Sequence, residues 1–278
     1  LFLPWLMQRV EAARKRLTEF ASRGGRTGSR AHRKHELAFD VALKEYVLAA
    51  FLLDDGLRIK NYTGAVAGRH VIATPERDSR GRWVSLIAVE TRFCGINDNP
   101  AVTLKVAKDE LGAERVRQRR VTPGLVRYDY LLEYWIGTRA RDLVRRGVLK
   151  NVQGFDPDAD GFAFFVSPRR GGRKSAKKPR EAYAAMHGCF TEDYLSNMFG
   201  KRFHEFIRDV LGQRVPAWDD PERTTKWRGM FTAHIVRLLL GTYFGGILGD
   251  WATACYITDD TEDTLRRNYN RVGDRITA

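Results

Sequence analysis

Hydrophobic positions along the chain change period twice. Over residues 3–21, Leu3, Leu6, Met7, Val10, Leu17 and Phe20 recur at helical spacing, and Arg9, Arg14, Lys15 and Arg16 take the rest of the surface. That pattern predicts an amphipathic basic helix. The next stretch, SRGGRTGSRAHRKH (22–35), is rich in Gly, Ser and Arg without apolar periodicity and is expected to be a flexible linker. A boundary is placed near residue 35. From Glu36 to Asp55 the positions Leu37, Val41, Val47, Leu48, Phe51 and Leu52 predict a second, strongly apolar helix closed by Gly56, a residue suited to a C-cap. The period then shortens. HVIAT (70–74), WVSLIAVE (83–90) and AVTLKVA (101–107) are β-branched runs separated by turn residues, the mark of a small antiparallel meander. Helical spacing returns over Tyr128–Arg146, Glu192–Leu211, Thr232–Gly245, Asp250–Ile257 and Thr261–Val272. The expected fold class is therefore α+β, mainly α, with a small antiparallel β-sheet.

Charge narrows the choice of partner. Lys and Arg number 48 against 34 Asp and Glu, a formal net charge of +14, while 43% hydrophobic residues suffice to pack a core. A folded basic protein suits a polyanion: nucleic acid first, because neutralised phosphates release counterions, and an anionic membrane surface second. Cys94, Cys189 and Cys255 lie far apart with no C-x-x-C spacing, so neither a zinc site nor a disulfide framework is expected, and a reducing cytoplasm fits. The longest apolar run, Leu238–Leu248, is broken by Gly241, Gly245 and Gly246 and is too short for a bilayer. Leu1 follows no initiator Met, and a preceding domain is expected.

Two segments carry candidate chemistry. The run SPRRGGRKSAKKPRE holds seven basic residues between positions 169 and 180, with Arg169, Arg170, Arg173, Lys174, Lys177 and Lys178 as candidate DNA contacts. Such a run is either a solvated loop or one that nucleic acid orders. Farther on, in FTAHIVRLLLGTYFGG, His234 and Arg237 stand three apart and share a helix face, with Ile235, Leu238, Leu239 and Thr242 as the expected core-facing stripe. Asp260 follows Arg237 by 23 residues and Tyr269 follows it by 32, within DDTEDTLRRNYNRV. Arg58 precedes it by 179 residues, where the apolar helix ends and the strands begin. Arg266 and Arg267 give Tyr269 a basic setting and are further candidate DNA contacts.

In this order and spacing the chain resembles the catalytic domain of the tyrosine recombinase (phage integrase) family over roughly residues 36–272. Gly56-Leu57-Arg58-Ile59-Lys60-Asn61 is similar to the family's first arginine turn, His234 and Arg237 to its H-x-x-R pair, and Thr264–Tyr269 to its tyrosine helix. The resemblance implies site-specific DNA cleavage and rejoining through a 3′-phosphotyrosyl intermediate, for integration, excision or transposition of a mobile element. It implies Tyr269 as nucleophile, Arg58 and Arg237 on the non-bridging phosphate oxygens, and His234 bonded to the phosphate or moving the tyrosine proton. It implies no cofactor or metal. Its partners would be double-stranded DNA, held by a homotetramer on two sites, with no membrane, in the bacterial cytoplasm at the nucleoid. Residues 1–35 would be the remnant of an N-terminal DNA-clamping region, and 36–278 the catalytic domain.

Two positions depart from that pattern. The family's general-acid lysine lies on the sheet hairpin, where this chain has Arg92; Lys105, in the next run, is the better proton donor and Arg92 the better positional match. Asp260 stands where the family has His or Trp. A carboxylate there would repel a phosphate, and with Asp263 it is read instead as the N-cap and acidic first turn of the Tyr269 helix. These departures leave two alternatives open: a catalytically decayed recombinase-like protein that binds DNA without cutting it, and a type IB topoisomerase-like enzyme.

Overall fold

The computed structural model describes residues 1–55, 59–63, 65–94, 114–120, 128–149, 161–168, 188–212, 234–258 and 260–267. These are mainly helical, with one small antiparallel sheet. Two long helices open the chain, α1 (Phe2–Ser22) and α2 (Arg30–Asp55). The short α3 (Ile59–Thr63) leads into strands β1 (Val71–Arg77), β2 (Trp83–Cys94) and β3 (Glu114–Arg120). Next come α4 (Tyr128–Glu133) and α5 (Arg139–Arg146), joined without a break by a π-turn at Tyr134–Thr138. The chain continues with α6 (Glu192–Val210), α7 (His234–Gly241) followed by a π-turn at Thr242–Ile247, and α8 (Trp251–Thr258). Residues 262–267 form a last helical stretch, α9.

α1 is no separate appendage of the packed body. Its buried face, Phe2, Leu3, Leu6 and Val10, joins the same hydrophobic cluster as Phe39, Leu43 and Tyr46 of α2 and Phe199 and Phe206 of α6. Each such side chain taken fully from water contributes roughly 1.5–3 kcal/mol. Phe2 meets Phe199 and Phe203 edge-on with centroids 5.8 and 5.3 Å apart, which fixes how α1 crosses α6. The linker expected over 22–35 shrinks to the turn at residues 23–29, because the polar stretch from Arg30 onward is helical. The boundary expected at residue 35 therefore falls inside α2.

α2 is also less apolar than its sequence pattern implies. Leu37 is exposed, whereas Asp40, Lys44 and Glu45 are buried. Asp40 accepts from Thr138 Oγ1 at 3.0 Å, from Arg145 at 3.0 Å and from Arg141; Lys44 pairs with Asp142; Arg145 also reaches Glu36 at 3.3 Å. The three acids Glu36, Asp40 and Asp142 thus meet the three bases Lys44, Arg141 and Arg145. Buried charges so balanced hold α2 to α5 without leaving a net field for a ligand. Arg139, fully buried, donates from Nε to the Ala163 carbonyl at 3.1 Å and anchors segment 161–168 on α5.

The sheet has the order β1-β2-β3, antiparallel throughout, with β3 at one edge. The first two strands lie where alternation predicted them. The third is Glu114–Arg120, and the run 101–107 expected as a strand lies outside the described residues. A bulge between Thr74 and Pro75 shifts the β1/β2 register near the turn. α6 runs over Glu192–Val210 as expected, because Thr191 caps it: its Oγ1 accepts from the Tyr194 N–H at 3.2 Å.

Candidate active site

The centre of interest is the C-terminal group of helices. α7 is amphipathic, but its inward face differs from the expected one. Val236 and Arg237 are each 2% exposed, while Leu239, expected to face the core, is half exposed. Val236, with Ile235 and Leu240 beside it, packs into the main cluster, so the helix is turned to carry Arg237 inward as well. The guanidinium is received there by Asp260: Arg237 Nη2 donates to Asp260 Oδ2 at 2.6 Å, with the two side chains only 2% and 8% exposed. Asp260 is therefore not the N-cap of the following helix. Thr261 is, since its Oγ1 accepts from the Thr264 N–H at 3.3 Å and its carbonyl from the Leu265 N–H at 2.9 Å.

What sets Asp260 opposite Arg237 is the local packing of α8 and α9. The π-turn at Thr242–Ile247 ends α7, and Gly249, with φ +71°, reverses the chain into α8. Asp250 Oδ1 accepts from the Thr253 N–H at 3.0 Å and caps that helix. Ala254 and Leu265, both fully buried, form a small cluster that Leu238, Phe244 and Trp251 cover, and it presses α9 against α7 and α8. Gly245 lies so close to Trp251 that a Cβ there would sit 2.5 Å from the indole ring. Arg266 stacks over the other side of this story: its guanidinium carbon is 4.5 Å from the Trp251 ring centroid, and its head group pairs with Glu262 at 2.7 Å. Arg267 pairs with Asp263. Both arginines expected at DNA thus already have partners within their own helix, though they remain exposed.

Of the other residues singled out in the sequence, His234 is the first residue of α7, and Arg92 occupies β2 opposite Val116 of β3. Tyr269, Arg58, Lys105 and the basic run with Arg169, Arg170, Arg173, Lys174, Lys177 and Lys178 lie outside the described residues. Arg58 stands in the three residues between α2 and α3, and Tyr269 two residues beyond α9. The helices flanking Arg58 contribute Leu52, Ile59 and Tyr62 to the same cluster that receives Val236 beside Arg237. Among the described residues, no group of three His, Cys, Asp or Glu side chains could hold a metal ion, and no helix is long and apolar enough to cross a membrane. Sequence reading missed the Arg237–Asp260 pair. Its only sequence signal was an acid at a position where the resemblance leads one to expect a neutral or basic ring.

Comparison with protein-family models, with curated proteins and with solved structures finds no match for this chain.

Proposed function

We propose that the protein is a tyrosine-type DNA strand-breaking and rejoining enzyme, a site-specific recombinase with Tyr269 as nucleophile and Arg58, His234 and Arg237 about the scissile phosphate. The observation that carries this reading is the buried Arg237–Asp260 pair. An ion pair withdrawn from water is a poor source of stability, since desolvation consumes most of the Coulombic gain. It does hold a guanidinium in one orientation. Asp260 is then a positioning residue: its charge is answered by Arg237, so the repulsion of a phosphate that its sequence position implied is offset.

The chemistry follows from the residue types. The Tyr269 oxygen attacks the phosphorus, the bond to the 5′-oxygen breaks, and a 3′-phosphotyrosyl ester conserves the bond energy until a 5′-hydroxyl attacks in reverse. Charge gathering on the non-bridging oxygens is met by arginines, which stay ionised and present paired donors. The leaving 5′-oxygen needs a proton. With β3 at Glu114–Arg120, residues 95–113 connect the β2/β3 hairpin, the segment where the resemblance expects the general-acid lysine. Lys105 lies in it, and this topology favours Lys105 over Arg92, whose guanidinium is a poor proton donor.

A second reading keeps one specific observation on its side. Arg237 is 2% exposed and already paired, as it would be in a recombinase-like protein that binds DNA without cleaving it. A nicked duplex that traps covalent intermediates separates the two. Wild type should form a protein–DNA adduct on a denaturing gel and Tyr269→Phe none; binding with no adduct from wild type would establish the second reading.

A further inference from the structure

The strand register sorts the charges of the sheet by face. Three cross-sheet rows can be followed: Val71–Thr91–Arg117, Ala73–Val89–Arg119 and, beyond the end of β1, Phe93–Arg115. Strand positions alternate between faces, so Arg115, Arg117 and Arg119 share one face with Val71 and Ala73. At β1 that face is packed: Val71 and Ala73 are buried, whereas Thr74 of the opposite face is exposed. Two strands away, about 10 Å at 4.8 Å per strand, the same face bears three arginines in alternate positions and no acid. The acids of β2 and β3, Glu90 and Glu114, both fall on the opposite face, where Arg92 and Arg120 balance them. Polarity thus changes across the strands of one face, from apolar at β1 to cationic at the edge strand.

A packed apolar interior does not take three guanidinium groups without counter-charges. We propose that this face of β3, carrying Arg115, Arg117 and Arg119, tracks the phosphates of one strand of duplex DNA. Successive arginines are about 6.8 Å apart along a β-strand, and a DNA strand presents a phosphate about every 3.4 Å of axial rise, so the spacing fits every second phosphate. The inference rests on the reading of the protein as a DNA enzyme only in choosing duplex DNA as the polyanion.

The experiment is the salt dependence of binding of the full chain to a duplex oligonucleotide, measured for wild type, for each single Arg→Gln change at 115, 117 and 119, and for the triple variant. Three lost phosphate contacts lower the slope of log K against log salt by about 2.7, and each single change lowers it by about 0.9. Arg120→Gln, on the opposite face of the same strand, and Arg80→Gln, exposed in the β1–β2 turn, should leave the slope unchanged. Thermal melting of every variant separates lost contacts from lost fold, and the single changes carry the test if the triple variant melts early. Slopes unaltered by the three changes, or lowered equally by Arg120→Gln, would overturn the proposal. The trapped-adduct assay reports separately: an adduct with unaltered slopes defeats the sheet surface alone, and altered slopes without an adduct defeat the recombinase reading alone.

Discussion

Asp260→Asn is the substitution that most directly questions the buried pair. It preserves volume and one acceptor oxygen but removes the charge that answers Arg237. The guanidinium remains 2% exposed, joined to its partner by a 2.6 Å bond that is no longer between ions. Removing one member of a buried pair costs about 3–5 kcal/mol, because the other is left as an uncompensated charge. At about 2–4 °C per kcal/mol for a chain of this size, melting should fall by roughly 6–20 °C. The assay is chemical and thermal denaturation of wild type, Asp260→Asn, Arg237→Met and the double variant. Arg237→Met with Asp260→Asn removes both charges, so the double variant should be less destabilised than the two singles together, by a coupling of a few kcal/mol. An Asp260→Asn protein within about 0.5 kcal/mol of wild type, the range of ordinary surface changes, would refute the view that this pair is buried and mutually dependent. If Asp260 positions Arg237 for catalysis, adduct formation by Asp260→Asn should also drop on the order of a hundredfold even at temperatures where the variant is fully folded.

Other expectations follow from local geometry. Gly245→Ala places a methyl 2.5 Å from the Trp251 ring; overpacking of this kind costs about 1–3 kcal/mol, and near-ultraviolet circular dichroism should report a displaced indole, with an unaltered spectrum counting against the contact. Thr191→Ala removes the N-cap of α6 and should lower stability by about 1 kcal/mol, read from urea denaturation, with Thr191→Ser close to wild type. Burial holds the Glu45 carboxyl above its ordinary value despite its ion pair with Arg202. Its contribution to stability is therefore fully present below the unfolded value near 4.5 and is lost as pH rises through the folded one. The stability of wild type relative to Glu45→Gln should accordingly decline as pH climbs from about 4.5; a difference that grows with pH would contradict the assignment.

Much of the fold was written in local pattern. α6 is legible because an apolar stripe at helical period is preceded by a capping threonine, two signals that act within a few residues of each other. β1 and β2 were legible for the same reason, alternation bounded by a turn. β3 was not: Glu-Arg-Val-Arg-Gln-Arg-Arg has almost no apolar alternation, and it is a strand because β2 offers it a ladder of hydrogen bonds. The start of α2 was missed likewise, since Arg30–His35 has no apolar face and is helical as the extension of a helix fixed farther along.

The sequence by itself determined the basic charge, the alternation of helix and strand, and the order Arg58, His234, Arg237, Asp260, Tyr269 that carries the proposed chemistry. Only the tertiary structure decided which face of α7 points inward. A helical wheel weighs each residue by its own hydrophobicity and so turns Leu239 in and Arg237 out. The folded chain does the reverse, because a carboxylate 23 residues away receives the guanidinium, and the free energy of a buried charge depends on a partner that no local pattern contains.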